Sequence, residues 1–508
     1  MKVWLDTTPL SIMHGNTSGR DSRDCDCDCG DCGLYTKVLP AYKITSGRLT
    51  MEQDHIPGLN FKKLQQTSTL RIQACNDGTW LACNPIGAGT VTVLDYPALA
   101  LLEHFRSPTL LAQAQSSFQH PIEDATTLFY HTGLINDSEQ VAVKHQEPAP
   151  QILQAWLHIT NACNLNCQYC YVHKDKEQMT DDTSQRAVDA IFRSALKQHF
   201  AGVRIKYAGG EASLLWQRVL EVHRYASLLA QQHKLDFSAY IITNGVMLPR
   251  RLVEQFKEHG IDITISLDGI NEYHDTQRPF ASGLGSFKHV DRTITQLLAS
   301  NVTPHINITV SQRNLAGLPS LLAYILERDM PFTLSYYREN ARSTHLPDLQ
   351  YGDEQMITAM RAAFQVIEEH LPQRSLLGSL IDKADLRANH SHACSAGRNY
   401  LVIDQRGGIA KCHTEIKRTV TSIDADDPLQ AIQEDRSDFL NLPVDEKEGC
   451  NTCTWRYWCT GGCPLVTYRT TGRNAIRSPN CHIYQALFPD ALRLEALRLL
   501  KYGSPVIL

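Results

Sequence analysis

The sequence predicts an α/β protein built on a parallel sheet with crossover helices, with a small α+β unit before it and a cysteine-rich domain after it. Three observations carry that reading. From about residue 151, apolar runs of strand length alternate with amphipathic helical stretches. Residues 46–150 hold short alternating runs broken by turn signals. Beyond residue 390, cysteines recur at fixed spacing. At 508 residues the chain is too long for one core. It divides into a Cys/Asp-rich, mobile segment (1–45), an α+β domain (46–150), an α/β domain (151–345), a helical connector (346–390) and a cysteine domain (391–508).

The strand candidates of the central domain are Ala155–Ile159, Val203–Ala208, Ala239–Thr243, Ile263–Leu267, His305–Val310 and Phe332–Tyr336. Helical segments between them include Asp181–His199, Leu214–His233, Leu252–His259 and Leu315–Arg328. In the N-terminal unit Leu70–Ala74 alternates, Asn76-Asp77-Gly78 signals a turn, Trp80–Cys83 follows as a second strand, and Tyr96–Phe105 has helical spacing. In the connector Met356–His370 is periodic and Arg374–Asn389 more polar. Tyr400–Asp404, the Gly407-Gly408 turn and Ile409–Cys412 predict a short hairpin.

Composition narrows the function. The net charge is −5, and no Lys/Arg-rich block marks a nucleic-acid surface. No stretch approaches the ~18 uninterrupted apolar residues of a membrane helix, and Met-Lys-Val-Trp-Leu-Asp lacks a secretory apolar region. The expectation is a cytoplasmic protein without nucleic-acid or membrane partners. In a large chain with no such signal, sixteen cysteines read as metal ligands rather than disulfides.

Cys163, Cys167 and Cys170 form a C-x3-C-x2-C triplet. Three cysteines so spaced hold three irons of a four-iron cubane and leave the fourth open. With Tyr169 just before the last cysteine, this stretch resembles the signature of the radical S-adenosylmethionine (SAM) superfamily, and the likeness extends over residues 151–345. It implies an incomplete (β/α)6 barrel with reactive groups at the C-terminal strand ends. It also implies a [4Fe-4S] cluster whose open iron binds SAM, and reductive cleavage of SAM to methionine and a 5′-deoxyadenosyl radical. Catalysis then rests on Cys163, Cys167 and Cys170.

Further fragments fall at predicted strand ends. Gly209-Gly210-Glu211-Ala212 resembles the family's Gly-Gly-Glu-Pro element, which contacts the amino group of SAM, with alanine where proline is usual. Thr243-Asn244-Gly245 ends the third strand and Ser266-Leu267-Asp268-Gly269 the fourth. The resemblance makes Tyr169, Gly209, Gly210, Glu211, Asn244, Ser266 and Asp268 cofactor-binding candidates. Arg278 joins them as a guanidinium able to grip the SAM carboxylate. Alone, each fragment is an ordinary turn; their order gives them meaning.

Near the C-terminus Cys450, Cys453, Cys459 and Cys463 read C-x2-C-x5-C-x3-C, with Cys394, Gly407 and Cys412 upstream and Cys481 downstream. This set looks like the SPASM extension of radical SAM enzymes that modify peptides and proteins. Its usual wiring implies one auxiliary iron–sulfur cluster on Cys450, Cys453, Cys459 and Cys481 and another on Cys394, Cys412 and Cys463. No further cysteine lies between Cys394 and Cys412 to complete the second. Its fourth iron stays open, to a peptide thiolate for example, or is closed by His392 or His413; the plain alternative leaves both histidines as solvent-facing loop residues.

The N-terminal unit resembles the winged-helix domains that capture a precursor's leader peptide as an added strand; a purely structural domain is the other reading. Cys75 and Cys83 read as half-buried thiols. Cys25, Cys27, Cys29 and Cys32 alternate with acids, which suits a solvated tail, a metal site or a fused substrate-like segment.

The resemblance thus implies a maturase of ribosomally made precursor peptides, forming a thioether or cyclophane cross-link, with SAM, three clusters and a reductant such as flavodoxin or ferredoxin. An anaerobic sulfatase maturase, oxidising Cys or Ser to formylglycine, is the second enzyme reading. A non-catalytic iron–sulfur carrier or scaffold is the third; carriers, however, use closed four-cysteine sites.

Overall fold

A computed structural model of the chain describes residues 1–6, 42–45, 48–51, 58–75, 78–87, 90–139, 145 and 147–508. Cys25, Cys27, Cys29, Cys32 and the Asn76-Asp77 corner lie outside these residues.

Six parallel strands form the centre: Ile152–Thr160, Gly202–Gly209, Asp236–Thr243, Ile261–Ser266, His305–Val310 and Phe332–Tyr336. Each pairs in parallel with the next, so the sheet runs in chain order. Helices Asp181–Lys197, Trp216–His233, Arg250–His259, Phe287–Ala299 and Leu318–Glu327 make the crossovers. Alternation along the strands explains the layering. Leu153, Ala155 and Leu157, then Val203, Ile205 and Tyr207, then Ile306 and Ile308 join the helices in the main core. The intervening positions carry buried polar groups, among them Gln154, His158, Lys206, Thr264, Ser266, Asn307 and Ser335. The α/β fold is thus apolar against its helices, while the opposite face mixes these polar groups with a small apolar cluster of Trp156, Ala208, Tyr400 and Val402.

The sheet does not close on itself. Beyond the first strand it continues with Tyr400–Ile403, parallel to Ile152–Thr160, and then antiparallel with Gly408–Ala410 and Thr419–Ser422, giving nine strands. The hairpin expected after residue 400 is therefore not a free-standing unit but an extension of the central sheet. The connector also differs from expectation. Only Asp353–Glu369 forms a long helix, and residues 371–390 are turns. Their Leu376, Leu377, Leu380, Ile381 and Leu386 are buried in the main core, so tertiary contacts hold them without a helix.

The first residues are a further difference. Lys2–Leu5 is a strand rather than part of a mobile end. It pairs antiparallel with Thr92–Leu94 and on its other side with Val506–Ile507. Val3 and Leu5 are buried with Leu94, Leu101, Leu102, Phe105 and Phe129 in a separate N-terminal core. That sheet continues through Trp80–Cys83 to an edge at Arg71–Ala74. Helix Tyr96–His104 starts where Asp95 accepts a hydrogen bond from the Ala98 amide, a side-chain N-cap.

Candidate functional site

The first central strand ends at Thr160 and hands the chain to the loop carrying Cys163, Cys167 and Cys170. Two backbone bonds fasten that loop to the segment after the fourth strand: Asn166 N to Pro279 O at 2.7 Å and Gln168 N to Gln277 O at 3.0 Å. The three thiols lie close enough to act on one another electrostatically, and burial pushes Cys163 up and Cys167 up to about 12. Iron binding would displace those protons, because the thiolate is the ligand. The Leu165 amide points at Cys163 Sγ (3.4 Å).

The two glycines after the second strand lie directly against this loop. Gly210 N donates to Thr160 O at 2.6 Å and Glu211 N to Ala162 O at 2.9 Å. A Cβ at Gly209 would stand 2.4 Å from Thr160 O, and one at Gly210 would stand 2.5 Å from the carbonyls of Asn161 and Ala162. Close approach of two backbones therefore demands glycine here. The buried Glu211 carboxylate accepts from Thr243 Oγ1 (2.7 Å) and Asn244 N (2.7 Å), tying the second strand end to the third. Asn244 in turn donates to Asn164 Oδ1 at 2.7 Å and reaches Cys163 Sγ at 3.9 Å. Gly209, Gly210, Glu211 and Asn244 thus converge on one side of the cysteine loop. Ala212 is buried and opens a short 3-10 turn.

On the other side, Tyr169 OH donates to Asp268 Oδ2 at 2.6 Å and accepts from Arg278 Nη1, which lies 3.6 Å from the same carboxylate. Asp268 is fully buried and its Oδ1 accepts from Thr309 N at 2.8 Å. Burial raises the Asp268 carboxyl, partly offset by Arg278. The Arg278 guanidinium therefore faces Tyr169 and Asp268; its Nε is buried with no protein partner. Ser266 is buried at the fourth strand end.

Several supporting residues escaped sequence reasoning. His274 Nδ1 lies 3.3 Å from Asp268 N and its Nε2 3.0 Å from Ser286 Oγ; burial holds its pKa well below the ordinary histidine value. Asn314 Nδ2 donates to Asp268 O (2.7 Å), and Asn340 Nδ2 to Tyr169 O (2.9 Å). His274 stands four residues before Arg278, and that helical spacing was the one local signal.

Seven further cysteines gather around two voids. Cys450, Cys453, Cys459 and Cys481 line one, with Trp455, Arg456, Arg477 and Phe488 in its wall. Cys394, Cys412 and Cys463 line the other, with Arg338, Lys383 and His413. Burial pushes Cys394 up to about 12 and Cys450 up to about 11. Among the described residues, no group of three or more His, Cys, Asp or Glu side chains is placed to hold a single metal ion. Sulfurs distributed around a void suit a multi-iron cluster, whose ligands bind separate irons. His413 stacks on Trp156 with ring centroids 4.7 Å apart, at the three-cysteine void. His392 instead pairs through Nδ1 with the buried Glu147 at 3.0 Å and is absent from that void's wall. Cys83 is buried and Cys75 half-buried, both as free thiols.

A cysteine loop at the end of the first strand of a six-strand parallel α/β sheet, faced by the next strand ends, defines the radical SAM class. Residues 157–314 match the Radical SAM superfamily, so the chain carries a domain of that superfamily. It is 23% identical over 275 residues to the radical SAM cyclopropyl synthase TigE of Paramaledivibacter caminithermalis, covering 48% of this chain and 56% of TigE. It is 20% identical over 334 residues to the cysteine-type anaerobic sulfatase-maturating enzyme of Clostridium perfringens, covering 60% of this chain and 86% of that one. The solved structure of native anSMEcpe with bound AdoMet and Cp18Cys peptide superposes with a TM-score of 0.55 at 18% identity, over 68% of this chain and 99% of that one. The chain spans between about half and two thirds of the curated relatives that head the comparison. Class membership implies SAM and a [4Fe-4S] cluster, and the loop of three thiols fits the cluster.

Proposed function

We propose that the chain modifies a ribosomally made precursor peptide, forming an intrapeptide thioether or cyclophane cross-link. SAM, bound at a [4Fe-4S] cluster on Cys163, Cys167 and Cys170, supplies a hydrogen-abstracting 5′-deoxyadenosyl radical. The chain's own residues prepare the site. Glu211 locks two strand ends, Asn244 and Ser266 offer polar groups to SAM, and Gly209 and Gly210 bring backbone to it. Tyr169 and Asp268 orient Arg278, whose partnerless Nε suits the SAM carboxylate. Two auxiliary clusters, on Cys450, Cys453, Cys459 and Cys481 and on Cys394, Cys412 and Cys463, complete the proposal. The second has an open iron or takes His413 rather than His392.

The observation that carries this reading is the docking of the seven-cysteine region onto the catalytic sheet through the Tyr400–Ile403 strand, beside the first strand that feeds the cysteine loop. That pairing ties the seven cysteines to the sheet that carries the proposed catalytic loop, which supports auxiliary clusters close to it. The N-terminal unit adds a peptide-recognition candidate. Its Arg71 donates to Thr454 and lies 4.6 Å over the Trp455 ring, beside the four-cysteine void. Among the described residues no helix is long and apolar enough to cross a membrane, and a cytoplasmic setting with a flavodoxin or ferredoxin reductant suits the chemistry. Likeness to the C. perfringens enzyme favours the second reading, a formylglycine-forming sulfatase maturase.

Anaerobic co-expression with each short reading frame beside the gene, followed by peptide mass measurement, decides. Loss of two hydrogens per modification, with fragmentation blocked between joined residues, supports a cross-linking maturase. Unmodified peptides, together with formylglycine in a sulfatase substrate, would replace it with the second reading.

A further inference from the structure

A three-residue link joins the cysteines of the two auxiliary voids. The chain passes from Cys459 of one to Cys463 of the other through Thr460, Gly461 and Gly462, which all have positive φ: 53°, 76° and 68°. Three successive left-handed residues make a tight reversal between the two sites, and glycine is the residue that takes this conformation without strain. Under the reversal lies Lys447. It is 2% exposed, and its ammonium donates to Thr460 O at 2.8 Å. A Cβ on Gly461 would stand 2.9 Å from Lys447 Cδ, 3.3 Å from Lys447 Nζ and 3.3 Å from Cys450 Sγ. The ammonium and the Cys450 sulfur therefore border the same small gap, which only a glycine leaves open.

The cations that line these voids serve one site each. Arg338 and Lys383 line the three-cysteine void, and Arg456 and Arg477 the four-cysteine void. Lys447 sits beside the link between both sets: burial lowers its pKa, and Cys450 and Cys459 of one set, with Cys394 and Cys463 of the other, offset part of that by favouring its charged form. A buried lysine is seldom retained without charge partners, and four sulfurs from two sites are an unusual set of them.

From this placement we infer that Lys447 is the shared counter-charge of the two auxiliary clusters, a positioning residue whose ammonium raises the reduction potential of both. Each cluster with its thiolates gains negative charge on reduction, and a fixed positive charge in a low-dielectric interior favours the reduced form. The inference rests on the assignment of the seven cysteines to two auxiliary clusters. The wild-type iron content and spectra test that assignment separately.

The test is an EPR-monitored redox titration of the anaerobically reconstituted full chain and its Lys447→Met and Lys447→Arg variants, with iron and sulfide counted in each. In Lys447→Met, both auxiliary clusters should lose at least tenfold in their reduced-to-oxidised ratio at a given solution potential, a downward shift of about 59 mV for a one-electron couple. The cluster on Cys163, Cys167 and Cys170 should not move, and Lys447→Arg should stay near wild type. Unchanged potentials in Lys447→Met at full iron, or a shift confined to one auxiliary cluster, would overturn the inference. If Lys447→Met loses iron, Lys447→Gln, which keeps a donor for Thr460 O, is titrated instead. Failure of that variant also to load the clusters would assign Lys447 a folding role and overturn the electrostatic one.

Discussion

Cys163, Cys167 and Cys170 lie half-buried in a loop strung between strands that a helix-covered apolar core already holds, whereas the seven C-terminal cysteines, Cys394, Cys450 and Cys463 buried and the other four half-buried, sit among short helices, strands and turns. In the first region the scaffold is complete without iron, and the cysteines add chemistry to it. In the second, the helices Arg456–Cys459 and Pro464–Thr471 are short, and the clusters Cys394–Phe439–Leu465 and Val444–Cys450–Tyr457 are small apolar cores. On the proposed assignment, metal binding contributes folding free energy there. The same kind of side chain would then do two kinds of work, set by the structure that surrounds it.

The sharpest way to break the comparison is to remove one ligand from each region. Cys163→Ala should bring 5′-deoxyadenosine release below detection by chromatography while iron falls by about four per chain, the content of one [4Fe-4S] cluster. Melting should change little. Cys450→Ala should instead lower soluble yield and unfold the C-terminal region. A Cys163→Ala protein that still cleaves SAM would mean that the catalytic site has been misplaced.

Chelation of the whole protein sharpens the same contrast. After iron is stripped, hydrogen exchange should speed up across residues 391–480 and stay slow in the Gly202–Gly209 and Asp236–Thr243 strands. Uniform loss of protection would show that the barrel too depends on iron.

Within the barrel, Asp268→Asn leaves the buried Arg278 without its counter-charge and should cost about 3 kcal/mol of stability, measured by denaturant unfolding. Gly210→Ala should cost about 2 kcal/mol, since its Cβ meets fixed carbonyls rather than side chains. A loss much below that would mean the cysteine loop yields easily.

The smallest effect concerns pH. Burial pushes His223, held between Tyr207 OH and His259 O, down to about 4. Its folded pKa lies below the ~6.5 of an unfolded histidine, so the unfolded chain takes up the proton first. Its contribution is full above about pH 6.5, and stability falls as the pH drops from there toward 4. Comparing melting temperatures of wild type and His223→Gln across that window should show a shallower acid slope in the variant.

The sequence made the six central strands legible because each is a local apolar run between turn signals. His305–Val310 and Phe332–Tyr336 match their predicted ends. The spacing of Cys163, Cys167 and Cys170, the ligands proposed here, was legible too, since it is a property of one loop. What it left open depends on residues distant along the chain. Tyr169 meets Asp268 across 99 positions and Arg278 across 109. Tyr400–Ile403 joins the first central strand, Lys2–Leu5 joins a sheet completed by the last residues, and Glu147 draws His392 away from the three-cysteine void. Local spacing and periodicity, carried by neighbouring residues, determined the catalytic loop and the strand–helix alternation. The pairing of edges, buried charges and voids was decided only in the tertiary structure, because those interactions exist between segments that nothing but folding brings together.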